Sequence, residues 1–329
     1  MTRFVFALAG AALLLVLAGC SLHRPQPVTL PVDLPQQFSA ETSLPLPIDR
    51  WWEMFDDERL NALMEEAFAA NLDISQAIAR LQQLEATSRS IGAARRPSLN
   101  LQGQASREST PGFFGNNEGD SYRLSLAAAF EVDLWNKLKS RRDAARLEKD
   151  ASRAEVLSLY LGLSAQVADQ YYLAAEQRHQ LGLTRRTVEA HADTLERVRR
   201  RYRQGLVPAL DLYQARQNLA AAKARLPVFE AGLARAEHAL SVLLGRYPQK
   251  LESAEVVSLR SVPDAFGAGL PSELLNRRPD VRAAFLRVKA SDKRIAAAIA
   301  DRFPSLNLAA SYGDMSSAFS TGDITGTFW

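Results

Sequence analysis

The sequence has very little of the residues from which most catalytic and metal sites are built. It holds a single cysteine, Cys20, and only four histidines. One cysteine excludes an internal disulfide framework and a zinc site built from cysteines. The histidines show no metal-ligand spacing, and no glycine-rich phosphate loop precedes a lysine and a serine or threonine. The acidic run Asp56-Asp57-Glu58 indicates a helix N-terminus. We therefore expect no enzyme, no metal and no other cofactor.

A large excess of one charge sign is also missing. The chain has 40 Lys and Arg residues against 37 Asp and Glu residues, a formal net charge of +3. Its arginines are interleaved with acidic residues along predicted helix surfaces, which is typical of a solvated face. No basic footprint for nucleic acid stands out, so we expect no nucleic-acid partner.

The N-terminal apolar run is too short for a comfortable membrane-spanning helix. It extends from Phe4 to Val16, follows Arg3, and leads through Leu17-Ala18-Gly19 to Cys20. This pattern predicts a signal peptide over residues 1–19. The last four residues resemble a bacterial lipobox, which implies cleavage before Cys20 and lipidation of that residue. Ser21 resembles the residue that follows the cysteine in lipoproteins sent to the outer membrane. A plain signal peptide with an incidental cysteine remains the alternative.

Proline is absent from residues 136–203, and glycine is rare there. A helix of this length measures about 100 Å at 1.5 Å per residue. Seven-residue spacing of apolar side chains predicts left-handed supercoiling against neighbouring helices. Two helices with a bend near Gly162 or Gly182 are the alternative. The spaced residues are Tyr160, Val167, Ala174, Leu181, Val188, Leu195 and Tyr202.

Prolines and glycines divide the rest of the chain. Residues 20–50 are rich in proline and predict an extended tether. Apolar residues at three- and four-residue spacing predict a helix over 57–95 and a return helix over 209–244, which Pro227 should kink or divide. Residues 251–269 form a linker.

Residues 98–107 and 121–134 change to a period of two. Apolar side chains alternate there with polar or small ones, and a turn-rich segment joins the two stretches. Strands of about ten residues with this alternation are typical of transmembrane β-barrels. A soluble hairpin packed on the helices would show the same pattern, so both interpretations stay open at this point.

The chain then begins to repeat itself. Residues 302–308 (RFPSLNL) differ from residues 95–101 (RRPSLNL) at one position. This indicates an internal duplication of a helix-then-strand unit, with a first copy over 51–250 and a second over 270–329. The second copy predicts a helix over 271–302 and a strand over 305–313. It stops where its own second strand would start, so we expect three strands.

Several stretches in the same order resemble the TolC-type outer-membrane efflux proteins, within the OprM/NodT lipoprotein branch. The most specific is Gly269–Ala283, GLPSELLNRRPDVRA. The other matching stretches are the lipobox at Cys20, Trp51-Trp52 with Phe55 and Leu60, residues 130–135 (FEVDLW), the segment 202–212, and Leu243-Leu244-Gly245.

The resemblance implies a mainly α fold with a small transmembrane β part. In that family, long antiparallel coiled-coil helices from three copies form a trimeric α-barrel, and antiparallel strands form one shared β-barrel. The implied function is a passive duct that exports small molecules from the periplasm to the outside. The implied partners are two further copies, outer-membrane lipid, a periplasmic adaptor (membrane fusion) protein and an inner-membrane pump of the resistance-nodulation-division type.

Three groups of residues acquire roles through the resemblance. Gly205, Leu206 and Val207 fall where the family's helical tip meets the adaptor, although Gly205 equally suits a helix C-terminus. Asp211 is a candidate for the gate at the periplasmic entrance, or for stabilising a helix N-terminus. Glu131 and Asp133 should face the lumen and bias it toward cations, or be ordinary solvated carboxylates.

Members of the family are longer, which predicts that a strand, a second long helix pair and the main gate are missing here. The sequence is therefore either an incomplete record of a longer gene or a truncated product that is expected to be non-functional. A periplasmic coiled-coil structural or adaptor-like lipoprotein is a further alternative, although it has no need for strands that occur twice. The exported substrate cannot be read from this sequence, because a wide duct has no shaped pocket.

Overall fold

The computed structural model describes residues 23–25, 50–112, 115–249, 277–319 and 322–329. The predicted signal peptide, Cys20, almost all of the tether and the 251–269 linker lie outside the described residues. A short 3-10 helix, Trp51–Phe55, precedes the helices α1 (Glu58–Ala70), α2 (Leu72–Ala93), α3 (Lys137–Arg203), α4 (Ala209–Leu243) and α5 (Pro279–Ala300). The strands are β1 (Ser98–Gly112), β2 (Gly115–Val132), β3 (Leu306–Phe319) and β4 (Gly322–Phe328).

The described residues belong to two compact units, each assembled from separate stretches of chain. Of the described residues, those within 80–153 and 281–329 belong to the sheet unit, and those within 50–79 and 154–280 belong to the helical unit. The boundaries between the units fall inside α2, inside α3 and in the first turn of α5. The units therefore do not coincide with the two sequence repeats.

Helix α3 runs without a break for 67 residues, so the two-helix alternative is wrong. An added Cβ at Gly162 or Gly182 would meet nothing within 4 Å, so neither glycine marks a close approach. The predicted seam residues Val167, Ala174 and Leu181 are buried. Tertiary packing of this seam stabilises a helix whose overall composition is strongly polar.

Helix α4 is also continuous, so of the two predicted effects of Pro227, a kink or a division, the division is wrong. A proline inside a helix removes one hydrogen bond and costs about 3 kcal/mol. Buried residues on both sides, Ala222 before it and Ala236 and Leu240 after it, hold the two halves in place.

Asn71 interrupts the single helix that was predicted over residues 57–95, so this prediction is wrong. Asn71 separates α1 from α2, because its Oδ1 accepts hydrogen bonds from the backbone amides of Asp73 and Ile74 at 3.0 and 3.2 Å. Its Nδ2 donates to the Leu243 carbonyl at 3.1 Å. An asparagine whose side chain caps the next helix competes with continued helical hydrogen bonding.

The acidic run at residues 56–58 does mark a helix N-terminus, as predicted. Asp57 Oδ1 accepts hydrogen bonds from the amides of Arg59 and Leu60. The Tyr171 hydroxyl donates to Asp57 Oδ2 at 3.0 Å. Burial, together with the Asp57 carboxylate, raises the pKa of the Tyr171 phenol, so this hydroxyl stays a donor.

The four strands form one antiparallel sheet in chain order. Strand β1 extends to Gly112 instead of residue 107, because the turn-rich residues pair as far as Gly112 opposite Gly115. Pro111 is tolerated there because an edge strand has one side free of partners. Strand β2 ends at Val132 instead of residue 134, since the turn into α3 begins at Asp133.

The fourth strand contradicts the prediction of three strands. The second copy follows the first at a constant separation of 207 positions: α2 begins at 72 and α5 at 279, and they end at 93 and 300. Strand β1 ends at 112 and β3 at 319, while β2 begins at 115 and β4 at 322. Both hairpins also share one register, since Gly112 pairs with Gly115 as Phe319 pairs with Gly322.

Helix α5 covers Pro279–Ala300 of the helix predicted over 271–302, of which residues 271–276 lie outside the described residues. Within the described residues it begins at Pro279, because the residue before a proline is disfavoured in the α conformation. It ends at Ala300, before a turn that leads to Pro304. None of the helices in the described ranges has both the length and the apolar character that a membrane-crossing helix needs.

Candidate functional site

One face of the sheet is apolar and exposed. The pairing register places large apolar side chains from β1, β2 and β3 on this face. All remain accessible, with Leu101 71% and Tyr312 60% exposed. Monomeric soluble proteins rarely expose such a continuous surface. The side chains are Leu99, Leu101, Tyr122, Leu124, Leu126, Leu306, Leu308 and Tyr312.

The height of this apolar face matches a bilayer. From Tyr122 to Val132 the strand rises about 33 Å at 3.3 Å per residue. Tilted as barrel strands are, this is about 25 Å of apolar band on β2. On β3 the apolar residues of this face end at Tyr312, because Asp314 and Ser316 pair with Leu124 and Tyr122. Arg107 forms ion pairs with Glu118 and Asp120 beyond one end of the band. The Trp135 and Phe303 rings lie 5.0 Å apart beyond the other end. Apolar side chains between two polar or aromatic ends favour a lipid-facing surface over a soluble hairpin.

The opposite face is polar and made of small residues. It carries the amides of Asn100, Gln102 and Gln104 on β1. Ser317 Oγ donates to Ser121 Oγ across the β2–β3 pair at 3.2 Å. Ser125 and Ser317 are buried on this face, where Ser125 pairs with Gly313, over which the Phe328 ring lies, and Ser317 pairs with Ile324.

The two acids that were predicted to face a lumen have close local partners. Glu131 forms an ion pair with Lys137. Lys137 Nζ lies 3.8 Å from Asp301, whose other oxygen lies 2.7 Å from Arg141 Nη2. Two acids and two bases therefore neutralise each other at the start of α3. These residues, except Arg141, line a cleft of about 240 Å³ at the end of the sheet.

Asp133 caps the long helix. Its Oδ1 and Oδ2 accept hydrogen bonds from the amides of Leu138 and Lys139 at 2.9 and 2.8 Å. A carboxylate at this position satisfies two otherwise unpaired helix amides and interacts favourably with the helix dipole. The description of Glu131 and Asp133 as ordinary solvated carboxylates is therefore wrong for both. Their orientation toward a lumen stays a prediction.

The predicted tip is the connection between α3 and α4. The Leu206 amide donates to the Arg201 carbonyl and the Gly205 amide to the Tyr202 carbonyl, both at 2.9 Å. Gly205 has a φ of +69°, the left-handed conformation of a Schellman C-cap. Its conformation thus has a structural reason, independent of any contact with a partner.

Exposed apolar residues surround this turn. Leu206 is 62% and Leu210 71% exposed, and Tyr213 is exposed beside them. Val207 is half-buried. Exposed apolar side chains grouped at a helix end are typical of a contact surface for another protein.

Asp211 is exposed in the first turn of α4, with its backbone amide bonded to the Pro208 carbonyl. Both of its predicted roles therefore remain compatible with its position.

The sequence reasoning missed three residues that matter at these sites. Two of them, Lys137 and Asp301, belong to the group of mutually neutralising charges between the end of β2 and the start of α3. The third, Arg123, is a cation on the polar face of the sheet. The alternation of β2 was a usable signal for Arg123, since it lies between Tyr122 and Leu124. No local pattern indicates the role of Asp301, because it is far in sequence from Glu131 and Lys137. Within the described part of the chain, no three His, Cys, Asp or Glu side chains are grouped to hold a metal.

Comparison with known proteins places these features in one family. The family model described as outer membrane efflux protein matches residues 63–246 and 270–328. The pyoverdine export outer membrane protein OpmQ of Pseudomonas putida is 31% identical over 317 residues, which cover 93% of this chain and 67% of OpmQ. The cation efflux system protein CusC of Escherichia coli O6:H1 is 32% identical over 325 residues, covering 93% of this chain and 68% of CusC.

Solved structures agree with the sequence relatives. The outer-membrane channel OprN superposes with a TM-score of 0.78 at 27% identity, over 94% of this chain and 73% of OprN. The chain spans about two thirds of the length of the sequence relatives it matches. It belongs to the outer membrane efflux protein family, whose members are efflux channels of the outer membrane.

Proposed function

We propose that the chain is the outer-membrane channel of a tripartite efflux system, a passive duct that exports small molecules from the periplasm. The observation that carries this proposal is the exposed apolar face of the sheet, backed by a small, polar face. A coiled-coil scaffold has no use for such a surface, whereas a barrel wall between lipid and water requires it. No catalytic step belongs to this function, so the chain is not an enzyme.

The proposed assembly is a homotrimer. The sheet has two free edges, β1 and β4, and a bilayer offers no partners for their backbone groups. Pairing β4 of one copy with β1 of the next joins the copies without adding another protein, over the four pairs that the given residues supply, 326–329 with 109–112. Three copies then supply twelve strands, an even number within the range of known barrels.

The 207-position repeat predicts the register of that closure. Strand β2 pairs with β3 so that Tyr122 lies opposite Ser316. Adding 207 to a residue number in β2 gives the equivalent residue of β4, and subtracting 207 from a residue number in β3 gives the equivalent residue of β1. Trp329 of one copy is then expected opposite Ser109 of the next.

Cysteine cross-linking tests this register. Ser109→Cys combined with Trp329→Cys should form disulfides between copies, because opposed residues in antiparallel strands have Cα atoms about 4.5–5.5 Å apart. Electrophoresis without reductant should show dimers and a closed trimer. Glu108→Cys with Trp329→Cys is the control, since its side chains point to opposite faces. Equal cross-linking of both pairs would contradict the proposed register.

The proposed partners meet the duct at its helical tip. We propose that Gly205, Leu206 and Val207 contact a periplasmic adaptor, and that an inner-membrane pump of the resistance-nodulation-division type supplies the energy. The exposed side chains of Leu206 and Leu210 support a contact surface there. Asp211 is proposed as a residue of the entrance gate, and Cys20 as the lipid anchor in the outer membrane.

Single-channel recording tests the duct itself. The purified chain is expected to give discrete conductance steps in planar lipid bilayers. Asp211→Ala should increase the open fraction, because it removes a charge from the proposed gate. Asp193→Ala, an exposed acid within α3 and outside the tip, is the control and should behave as the wild type. A membrane-inserted, sheet-containing trimer that conducts in neither form would overturn the proposal.

A further inference from the structure

The polar face of the sheet carries a single cation, Arg123, among its described side chains. Its neighbours on this face are amides, hydroxyls, small residues, Met315 and Phe328. The other charged positions on the face are acids near its two ends. At 3.3 Å per residue, Glu131 lies about 26 Å away along β2. Glu108 lies about 13 Å along β1 from Gln104, the residue opposite Arg123.

The structure holds the guanidinium of Arg123 in place without neutralising it. Its Cζ lies 5.1 Å from the centre of the Phe328 ring, a cation–π contact. Its Nη2 donates to Met315 Sδ at 3.5 Å, and sulfur is a weak acceptor. Among the described residues, no carboxylate lies within ion-pair distance of Arg123, and the side chain is exposed.

A glycine makes room for this arrangement. An added Cβ at Gly313 would lie 2.8 Å from Phe328 Cζ and 2.4 Å from the Leu124 carbonyl oxygen. Only a residue without a side chain lets the Phe328 ring cross β3 and reach Arg123. A groove of about 740 Å³ passes over the sheet at this level, and its lining includes Arg123, its cross-strand neighbour Gln104, and Met315. One acid, Asp314, also lines it, from a register position on the apolar face.

We propose that Arg123 is a specificity-determining residue of the duct that favours anionic solutes, such as those with carboxylate or phosphate groups. This inference rests on the proposed function, because it requires the polar face to line the lumen. Three copies place three such guanidinium groups at one level of the barrel. The two acids between β2 and α3 do not offset this positive charge, because Glu131 is paired with Lys137 and Asp133 caps α3.

The reversal potential of single channels in a KCl gradient tests the proposal. Arg123→Gln should lower the chloride-to-potassium permeability ratio by about threefold near 10 mM salt, where the Debye length is about 30 Å. The difference should shrink near 1 M salt, where screening is nearly complete. Arg123→Lys keeps the charge and should retain most of the wild-type ratio.

Two further variants keep the test decisive. Arg107→Gln is the matched control, because it removes the same charge from the apolar face, and its ratio should stay at the wild-type value. Gln104→Lys adds a cation beside Arg123 and should raise the ratio, which gives a result even if Arg123→Gln does not assemble.

The outcomes separate the inference from the function on which it rests. Absence of any conductance contradicts the duct itself. If the channels conduct but the chloride-to-potassium permeability ratio at 10 mM salt is the same in the wild type, Arg123→Gln and Gln104→Lys, the proposed role of Arg123 is wrong. The proposed duct function is then unaffected.

Discussion

Gly245→Ala is expected to destabilise the helical unit by about 3 kcal/mol. Gly245 follows α4 with a φ of +70°, and an added Cβ would lie 2.4 Å from the Ala70 carbonyl oxygen. The left-handed conformation costs an alanine about 1–2 kcal/mol. The remaining loss comes from pushing the end of α1 away from α4, because a backbone atom cannot rotate out of the way. Urea denaturation followed by circular dichroism measures the shift.

Gly205→Ala is the matched control for this prediction. Gly205 has almost the same backbone conformation, with a φ of +69°, but an added Cβ there would meet nothing within 4 Å. We expect a loss of about 1 kcal/mol, due to conformation alone. Equal losses for the two variants would show that the contact between Gly245 and Ala70 contributes nothing.

Arg178→Met is expected to lower stability by about 3 kcal/mol, because it leaves a buried charge unpaired. Arg178 Nη2 lies 2.7 Å from Glu237 Oε1, and the Glu237 side chain is only 6% exposed. Methionine keeps most of the aliphatic stem of arginine and removes the charge. The same denaturation experiment measures the effect, with the double variant Arg178→Met and Glu237→Leu expected to recover most of the loss.

The neighbouring ion pair between the same two helices provides the control. Arg185 Nη2 lies 3.4 Å from Glu230 Oε1, and both side chains are more than half exposed. Arg185→Met should change stability by less than about 0.5 kcal/mol, since water screens exposed pairs. If Arg178→Met were as mild as Arg185→Met, the burial of Glu237 would have no energetic consequence.

Periodic patterns were sufficient to predict most elements. The seven-residue spacing that includes Val167, Ala174 and Leu181 indicated α3, and residues with a period of two indicated β1 and β2. The repeat also indicated β3. It contained the signal for β4 as well, since Gly322 corresponds to Gly115 at the start of β2. That signal was missed because the turn-rich residues there looked unlike a strand.

The details of the candidate sites depend on contacts that no local pattern encodes. The helix break at Asn71 is secured by the Leu243 carbonyl, 172 positions later. The charge of Glu131 is cancelled by Lys137 in a cluster completed by Asp301. The role of Arg123 follows from Phe328 and Met315, two strands and one strand away. Residue type alone therefore suggested a cation-selective lumen, whereas the arrangement of partners favours the opposite preference.

The cap that Asp133 places on α3 has a mechanical consequence. Both carboxylate oxygens hold amides of the first helical turn, and the Trp135 indole donates to the Pro304 carbonyl at 2.9 Å. These hydrogen bonds restrict rotation between the end of β2 and the first turn of α3. A twist applied to the first turn of α3 is passed to the last residues of β2 instead of being absorbed between them.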